Sequence, residues 1–223
     1  MEPIKGVLFD MDGLMFDSER LYVQAWSRAL AEQGKEFTPE IHAQMMGRDA
    51  NFAIALLRRT FGEDFPAEQV RARRGEFRQQ LLQERGAPCK KGLLELLDFL
   101  QAQGIRRAVA SSSPVKDIEY LLERNGVREK FDAIVSGAEL KESKPNPEIF
   151  LLAAKAIGVE PKNGLVLEDA ASGILAAHRG GFRSVIIPDL VPASEETQRL
   201  CTWQAEDLSQ VIGIIGQVNG LEA

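Results

Sequence analysis

Three aspartates, Asp10, Asp12 and Asp17, fall within eight residues of one another in the stretch VLFDMDGLMFDSE, residues 7 to 19. The run Val7-Leu8-Phe9 before them reads as the end of a buried strand. Unpaired carboxylates in such a place would cost on the order of several kcal/mol each, so a metal, a reaction or turn chemistry must compensate them. A second acid pair, Glu168-Asp169, closes another apolar run, GLVLED (164–169). Ser111-Ser112-Ser113-Pro114 follows RRAVAS (106–111), and Lys144 stands between Ser143 and Pro145 in KESKPNPEIF. Each feature alone has a plainer reading: a capping acid, a capping serine, a solvated lysine. Together they suit a hard cation with oxygen ligands, Mg²⁺ above all. A serine-bearing helix start and a lysine would then hold the remaining oxygens of a phosphate.

The elements that must position these residues are readable from the apolar runs. Five of them, 4–10, 106–111, 132–137, 164–169 and 183–188, have strand character. Between the later ones lie helical patterns that close on Gly104, Gly126, Gly158 and the pair Gly180-Gly181. Helix, glycine, strand, repeated, is the pattern of parallel βα units. The interval from about 17 to 87 breaks the rhythm with helical patterns and no strand. The expected architecture is therefore a Rossmann-like parallel α/β core, residues 1–16 and 88–223, with an inserted α-helical cap at 17–87. Ligands of such open sheets bind at the carboxyl ends of the strands, where Asp10, Ser111, Lys144 and Glu168-Asp169 all fall. Within the loops, Ser113 with Pro114, and Asn146 with Pro147, are expected to be the cap and first residue of the next helix. Asp17 with Ser18 is read as the cap of the first helix of the insertion.

Composition narrows the class of protein. The 223 residues are 44% hydrophobic and 27% charged, an ordinary globular balance, with a net charge of −6. That sign argues against a nucleic-acid partner, while a local cationic pocket can still take a small anion. Cys89 and Cys201 lack metal-ligand spacing and read as reduced thiols. No run approaches the roughly 18 apolar residues of a membrane span, and no signal peptide is expected in MEPIKGVLFD, which has no apolar segment long enough for one. The expectation is a cytoplasmic protein with no obligate protein partner.

The four motifs, DMDGL (10–14), the Ser111 strand end, Lys144 before Pro145, and Glu168-Asp169, match in order those of the haloacid dehalogenase-like phosphohydrolases. The helical interval resembles the small α-helical cap of one subgroup. GLMFDSERLY and KPNPEIFLLAAKAIGV resemble the branch of sugar-phosphate phosphatases and β-phosphoglucomutases. The resemblance implies that Asp10 attacks phosphorus and that Asp12 serves as general acid, then general base. It implies Mg²⁺ held by the side chains of Asp10 and Asp169 and the backbone carbonyl of Asp12, with Glu168 as a ligand or an orienter of waters. Ser111, the N–H of Ser112 and Lys144 would hold the phosphoryl group. The expected partner is a small phosphorylated metabolite.

The branch contains mutases as well as phosphatases. Relatives of the mutase type carry a histidine where Tyr22 stands and a Lys-Gly pair where Met46-Gly47 stands, which favours a phosphatase here. Arg48, in the same cap loop, is a candidate for a second anionic group on the substrate. Asp12 argues against a true dehalogenase, and the filled motifs argue against an inactive regulatory relative. Arg71, Arg73, Arg74 and Arg78 read as a solvated helix face, Trp26 and Phe99 as core, and His42 and His178 as lone surface or packing residues.

Overall fold

The computed structural model describes residues 1–45, 50–189 and 192–221 and divides into two compact units, Met1–Asp17 with Pro88–Ala223, and Ser18–Ala87. The first unit holds a sheet of strands β1 (Gly6–Phe9), β2 (Arg106–Ser111), β3 (Ala133–Ser136), β4 (Gly164–Glu168), β5 (Arg183–Ile186) and β6 (Trp203–Gln204). Their spatial order is β3-β2-β1-β4-β5-β6, and every pairing is parallel. The expected Rossmann-like α/β architecture is the one found. Strand β1 reads GVLF and is buried at all four positions, as a central parallel strand covered on both faces must be. Because β2 and β4 flank β1, the strand order reverses beside β1, and the crevice at its carboxyl end is where an open α/β sheet binds its ligand.

Ten α-helices lie among the described residues. Four belong to the second unit: α1 (Glu19–Ala31), α2 (Pro39–Met45), α3 (Ala50–Phe61) and α4 (Ala67–Arg85). The rest cover the sheet: α5 (Leu93–Ala102), α6 (Val115–Arg124), α7 (Glu148–Ala156), α8 (Ala171–Arg179), α9 (Glu195–Leu200) and α10 (Gln210–Asn219). Leu8, Ala108, Val166, Phe150, Ala153 and Ala177 form one core layer between sheet and helices. Gly104 and Gly126, with φ of +64° and +67°, end the helical turns that precede β2 and β3, where a side chain would be strained.

The differences from expectation are local. The two-residue strand β6 and the seven-residue helix α2 are too short to carry a periodic signal. Helices α6 and α7 begin one residue later than expected, with Pro114 and Pro147 at the cap positions. Ser113 is thus not the cap of α6, while Asn146 Oδ1 still accepts from Glu148 N at 2.9 Å. Ser18 rather than Asp17 holds the cap position of α1, and it makes no side-chain cap hydrogen bond.

The helical unit has its own core. Trp26 is fully buried and stacks on Phe37 with ring centroids 5.9 Å apart. Tyr22 sits edge-on to Trp26, and the Arg74 guanidinium lies 5.2 Å from the centroids of both rings. Arg73 pairs with Glu32 and Glu76 on the exposed face. His42 is not alone: its Nε2 lies 2.7 Å from Glu19 Oε1. Phe99, on α5 of the sheet unit, is half-buried. Met46, Gly47 and Arg48 lie outside the described residues. No helix among the described residues is long and apolar enough to cross a membrane.

Candidate active site

The register of the parallel strands assembles the site. Phe9 pairs with Val109 on one side and Leu167 on the other. The next residue, Asp10, therefore stands between Ala110 and Glu168, and its backbone N–H donates to Leu167 O at 3.0 Å. The chain then turns back sharply: Gly13 N donates to Phe16 O, and Met15 N donates to Met11 O. Gly13 has φ +84°, and a Cβ there would collide with the Asp169 carboxylate. Both conformation and space demand glycine at that point.

Lys144 locks the centre. Its Nζ donates to Asp10 Oδ1 at 2.5 Å, to Glu168 Oε1 at 2.7 Å and to the Ala110 carbonyl at 3.2 Å, which occupies its three protons. The side chains are 13% exposed for Asp10, 8% for Lys144 and 1% for Glu168, so the cluster is nearly dry. One ammonium thus faces two buried carboxylates. The Asp10 carboxyl is pushed up to about 7: burial raises it most, repulsion from Glu168 and Asp12 adds to that, and Lys144 offsets part of it. Burial works to lower the Lys144 ammonium, but Asp10 and Glu168 outweigh it and hold that group above its usual range.

The rest of Glu168 is also engaged. Its Oε2 accepts from the backbone N–H of Asp169 at 3.1 Å and of Ala170 at 3.2 Å, at the start of α8. A Cβ on Gly173 would overlap the Glu168 carboxylate, so α8 must present a glycine there. Glu168 therefore holds Lys144 and a helix start together, while one oxygen each of Asp10, Glu168 and Asp169 still lie within 4.8 Å of one another.

The serine loop supplies the other side. Ser111 is 1% exposed, and its Oγ accepts from Ser113 N at 3.1 Å. Ser112 is exposed. Ser113 Oγ donates to Asp12 Oδ2 at 2.7 Å, and Ser136 Oγ donates to the Ser113 carbonyl at 2.7 Å. Ser113 reads locally as a helix cap, and Ser136 stands in no motif. The triple serine that begins at the end of β2 is the local signal for the first, and nothing local marks the second.

Asp10, Asp12, Ser111, Lys144, Glu168 and Asp169 are thus linked at one sheet edge, in the sheet unit alone. Tyr22 belongs to the helical unit and packs on Trp26 there. The donor set is oxygen only, and its negative charge exceeds what Lys144 supplies. Such a set fits a divalent hard cation, which would offset the burial and the repulsion that raise the Asp10 carboxyl.

A doubly wound parallel sheet thus carries an acid cluster and a lysine at the carboxyl end of its central strand, the place where such α/β folds bind their ligands. Residues 7–187 match the family of haloacid dehalogenase-like hydrolases, and the chain belongs to that family. It is 31% identical over 182 residues to the phosphorylated carbohydrates phosphatase of Thermotoga maritima, covering 82% of this chain and 84% of that protein. It is 30% identical over 186 residues to hexitol phosphatase B of Escherichia coli, covering 83% and 84% of the two chains. Among solved structures, CbbY of Rhodobacter sphaeroides in complex with phosphate is similar at a TM-score of 0.80 and 25% identity, covering 93% of this chain and 96% of that one.

Proposed function

We propose that the chain is a Mg²⁺-dependent phosphatase that hydrolyses small phosphomonoesters, sugar phosphates and related metabolites, through an aspartyl-phosphate. The observation that carries this reading is the Asp10–Lys144–Glu168 network beside Asp169 at the end of β1. The relatives named above as phosphatases of phosphorylated carbohydrates and hexitols support the substrate class.

In this reading Asp10 attacks phosphorus with a carboxylate oxygen while the ester oxygen departs, and Asp12 gives that oxygen a proton. Asp12 then takes a proton from the water that attacks the aspartyl-phosphate, releasing phosphate and restoring Asp10. The Ser113 hydroxyl, donating to Asp12 Oδ2, aims that carboxyl. Ser111 Oγ, which already accepts from Ser113 N, has its own proton to offer a phosphoryl oxygen. The N–H of Ser112 is a second donor. Lys144 balances the charge of Asp10 before and during transfer. Asp10, Asp169 and the Asp12 carbonyl would hold Mg²⁺, with Glu168 steering from behind. When bound, the ion supplies charge neutralisation for the phosphoryl oxygens.

A mutase would return the phosphoryl group to a second hydroxyl of the sugar instead of passing it to water. Purified protein should be offered p-nitrophenyl phosphate, hexose and hexitol phosphates, nucleotides and β-glucose 1-phosphate, with and without Mg²⁺. Mg²⁺-dependent phosphate release that falls by on the order of 10⁴-fold in Asp10→Asn is expected. Formation of glucose 6-phosphate with little free phosphate would make the mutase correct. Full activity in the Asp10→Asn variant would end the aspartyl-phosphate reading.

A further inference from the structure

Asp189 lies shortly after β5, on the same carboxyl edge as Asp10 and Glu168-Asp169. Its side chain is 8% exposed, and its Oδ1 is ion-paired with Lys90 Nζ. Its Oδ2 is buried and has no hydrogen-bond partner among the described residues. Buried polar atoms in native folds are nearly always satisfied, so a carboxylate oxygen in this position calls for a further partner, which a water can supply. The direction in which it points is marked by Gly13. A Cβ on Gly13 would meet Asp189 Oδ2 at 3.6 Å and would collide with Asp169 Oδ2. The two carboxylates thus converge on one bare stretch of backbone, and the missing side chain keeps the space between them open.

We propose that Asp189 is a positioning residue of the cation site, its Oδ2 accepting a hydrogen bond from a water carried by the divalent ion. This rests on the Mg²⁺ reading of the proposed function. Mg²⁺ keeps several waters when protein-bound, and acceptors behind those waters orient them and tune affinity. An outer position fits the geometry, because Asp189 is not among the acids whose oxygens cluster within 4.8 Å. The anchor is built in: Lys90 donates its backbone N–H to Met15 O at 2.8 Å, tying the ammonium that holds Asp189 to the loop after β1. A concavity of about 410 Å³ is lined by Leu14, Lys90, Ile187, Asp189 and Asp207.

The test is Mn²⁺ binding to the full chain, read from the electron paramagnetic resonance of the free ion, for wild type, Asp189→Asn, Glu206→Gln and Asp169→Asn. Glu206 lies on the rim of the same concavity and controls for loss of a charge. Asp189→Asn is expected to weaken Mn²⁺ about 10-fold, within the range for partners of metal ligands, while Glu206→Gln changes little. Unchanged affinity in Asp189→Asn, with binding lost in Asp169→Asn, would overturn this inference and leave the metal reading intact. An equal loss in Glu206→Gln would reduce the effect to general charge and also overturn it. A wild-type chain that binds no Mn²⁺ and no Mg²⁺ would overturn both. Should Asp189→Asn not fold by circular dichroism, Lys90→Met replaces it; this variant frees the carboxylate from its anchor, and unchanged Mn²⁺ affinity there would overturn the inference.

Discussion

The charged residues of the sheet unit and those of the helical unit are held in opposite ways. At the carboxyl edge of the sheet, Asp10, Lys144 and Glu168 are nearly dry, and one lysine serves two acids. On the helical unit, Arg73 bridges Glu32 and Glu76 with all three side chains at least 40% exposed. The exposed set is geometrically tidy yet worth little, because water competes for every partner and salt screens the rest. The buried set cannot be traded for water, so each member is indispensable to the others. Hydrogen-bond geometry alone does not separate a site from a solvated face; the degree of desolvation does.

The sharpest way to break that contrast is Lys144→Met. It leaves Asp10 and Glu168 buried without their cation, and a loss of about 3–5 kcal/mol is expected from urea unfolding of the ion-free protein. Added Mg²⁺ should recover part of it if the ion takes over the charge balance. A variant as stable as the parent would mean the cluster is wetter than its burial indicates.

A smaller effect is expected from Gly173→Ala. The new methyl group would occupy the position of the Glu168 carboxylate, a contact that cannot be relieved without turning Glu168 away from Lys144 and the start of α8. Destabilisation of about 1–3 kcal/mol, typical of overpacking, should accompany weaker Mg²⁺ binding. Alanine is otherwise the better helix residue, so a gain in stability would show that Glu168 can leave at no cost.

The pH dependence follows from Asp10. Its carboxyl titrates at about 7 in the ion-free fold, against an ordinary value of 3.8. The folded state therefore keeps a proton that the unfolded chain has lost, and this group's share of stability declines as pH rises from about 4 to about 7. Mg²⁺ requires the ionised carboxylate, so its affinity should tighten up to about pH 7 and level off above. Calorimetry in buffers of different ionisation heat should find about one proton released per ion at pH 6 and almost none at pH 8. Equal release at both values would separate Asp10 from the ion.

The smallest expected effect lies on the other side of the comparison. Arg73→Gln removes the centre of the exposed network, yet no resolvable change in the unfolding midpoint or in phosphate release is expected. A measurable loss of activity would mean that this helical face meets substrate.

The chain order of the first five strands, the glycine-closed helices and the residue types at four strand ends are readable from the sequence. All are local: an apolar run, a turn residue, an acid directly after β1. The parallel sheet and the acid pairs after β1 and β4 follow from them. What folding alone decided is which side chains meet. Lys144 reaches Asp10 across 134 positions, and Ser113 reaches Asp12 across 101. The sequence placed Ser113 in a cap because a serine before proline has that local use; the sheet register brought it instead beside Asp12. Glu168 turns both oxygens to Lys144 and the start of α8, a division that no spacing in the chain encodes. Asp189 carries no motif at all. Local pattern reports how a segment satisfies its own backbone, whereas desolvation and the pairing of charges belong to segments brought together by the sheet.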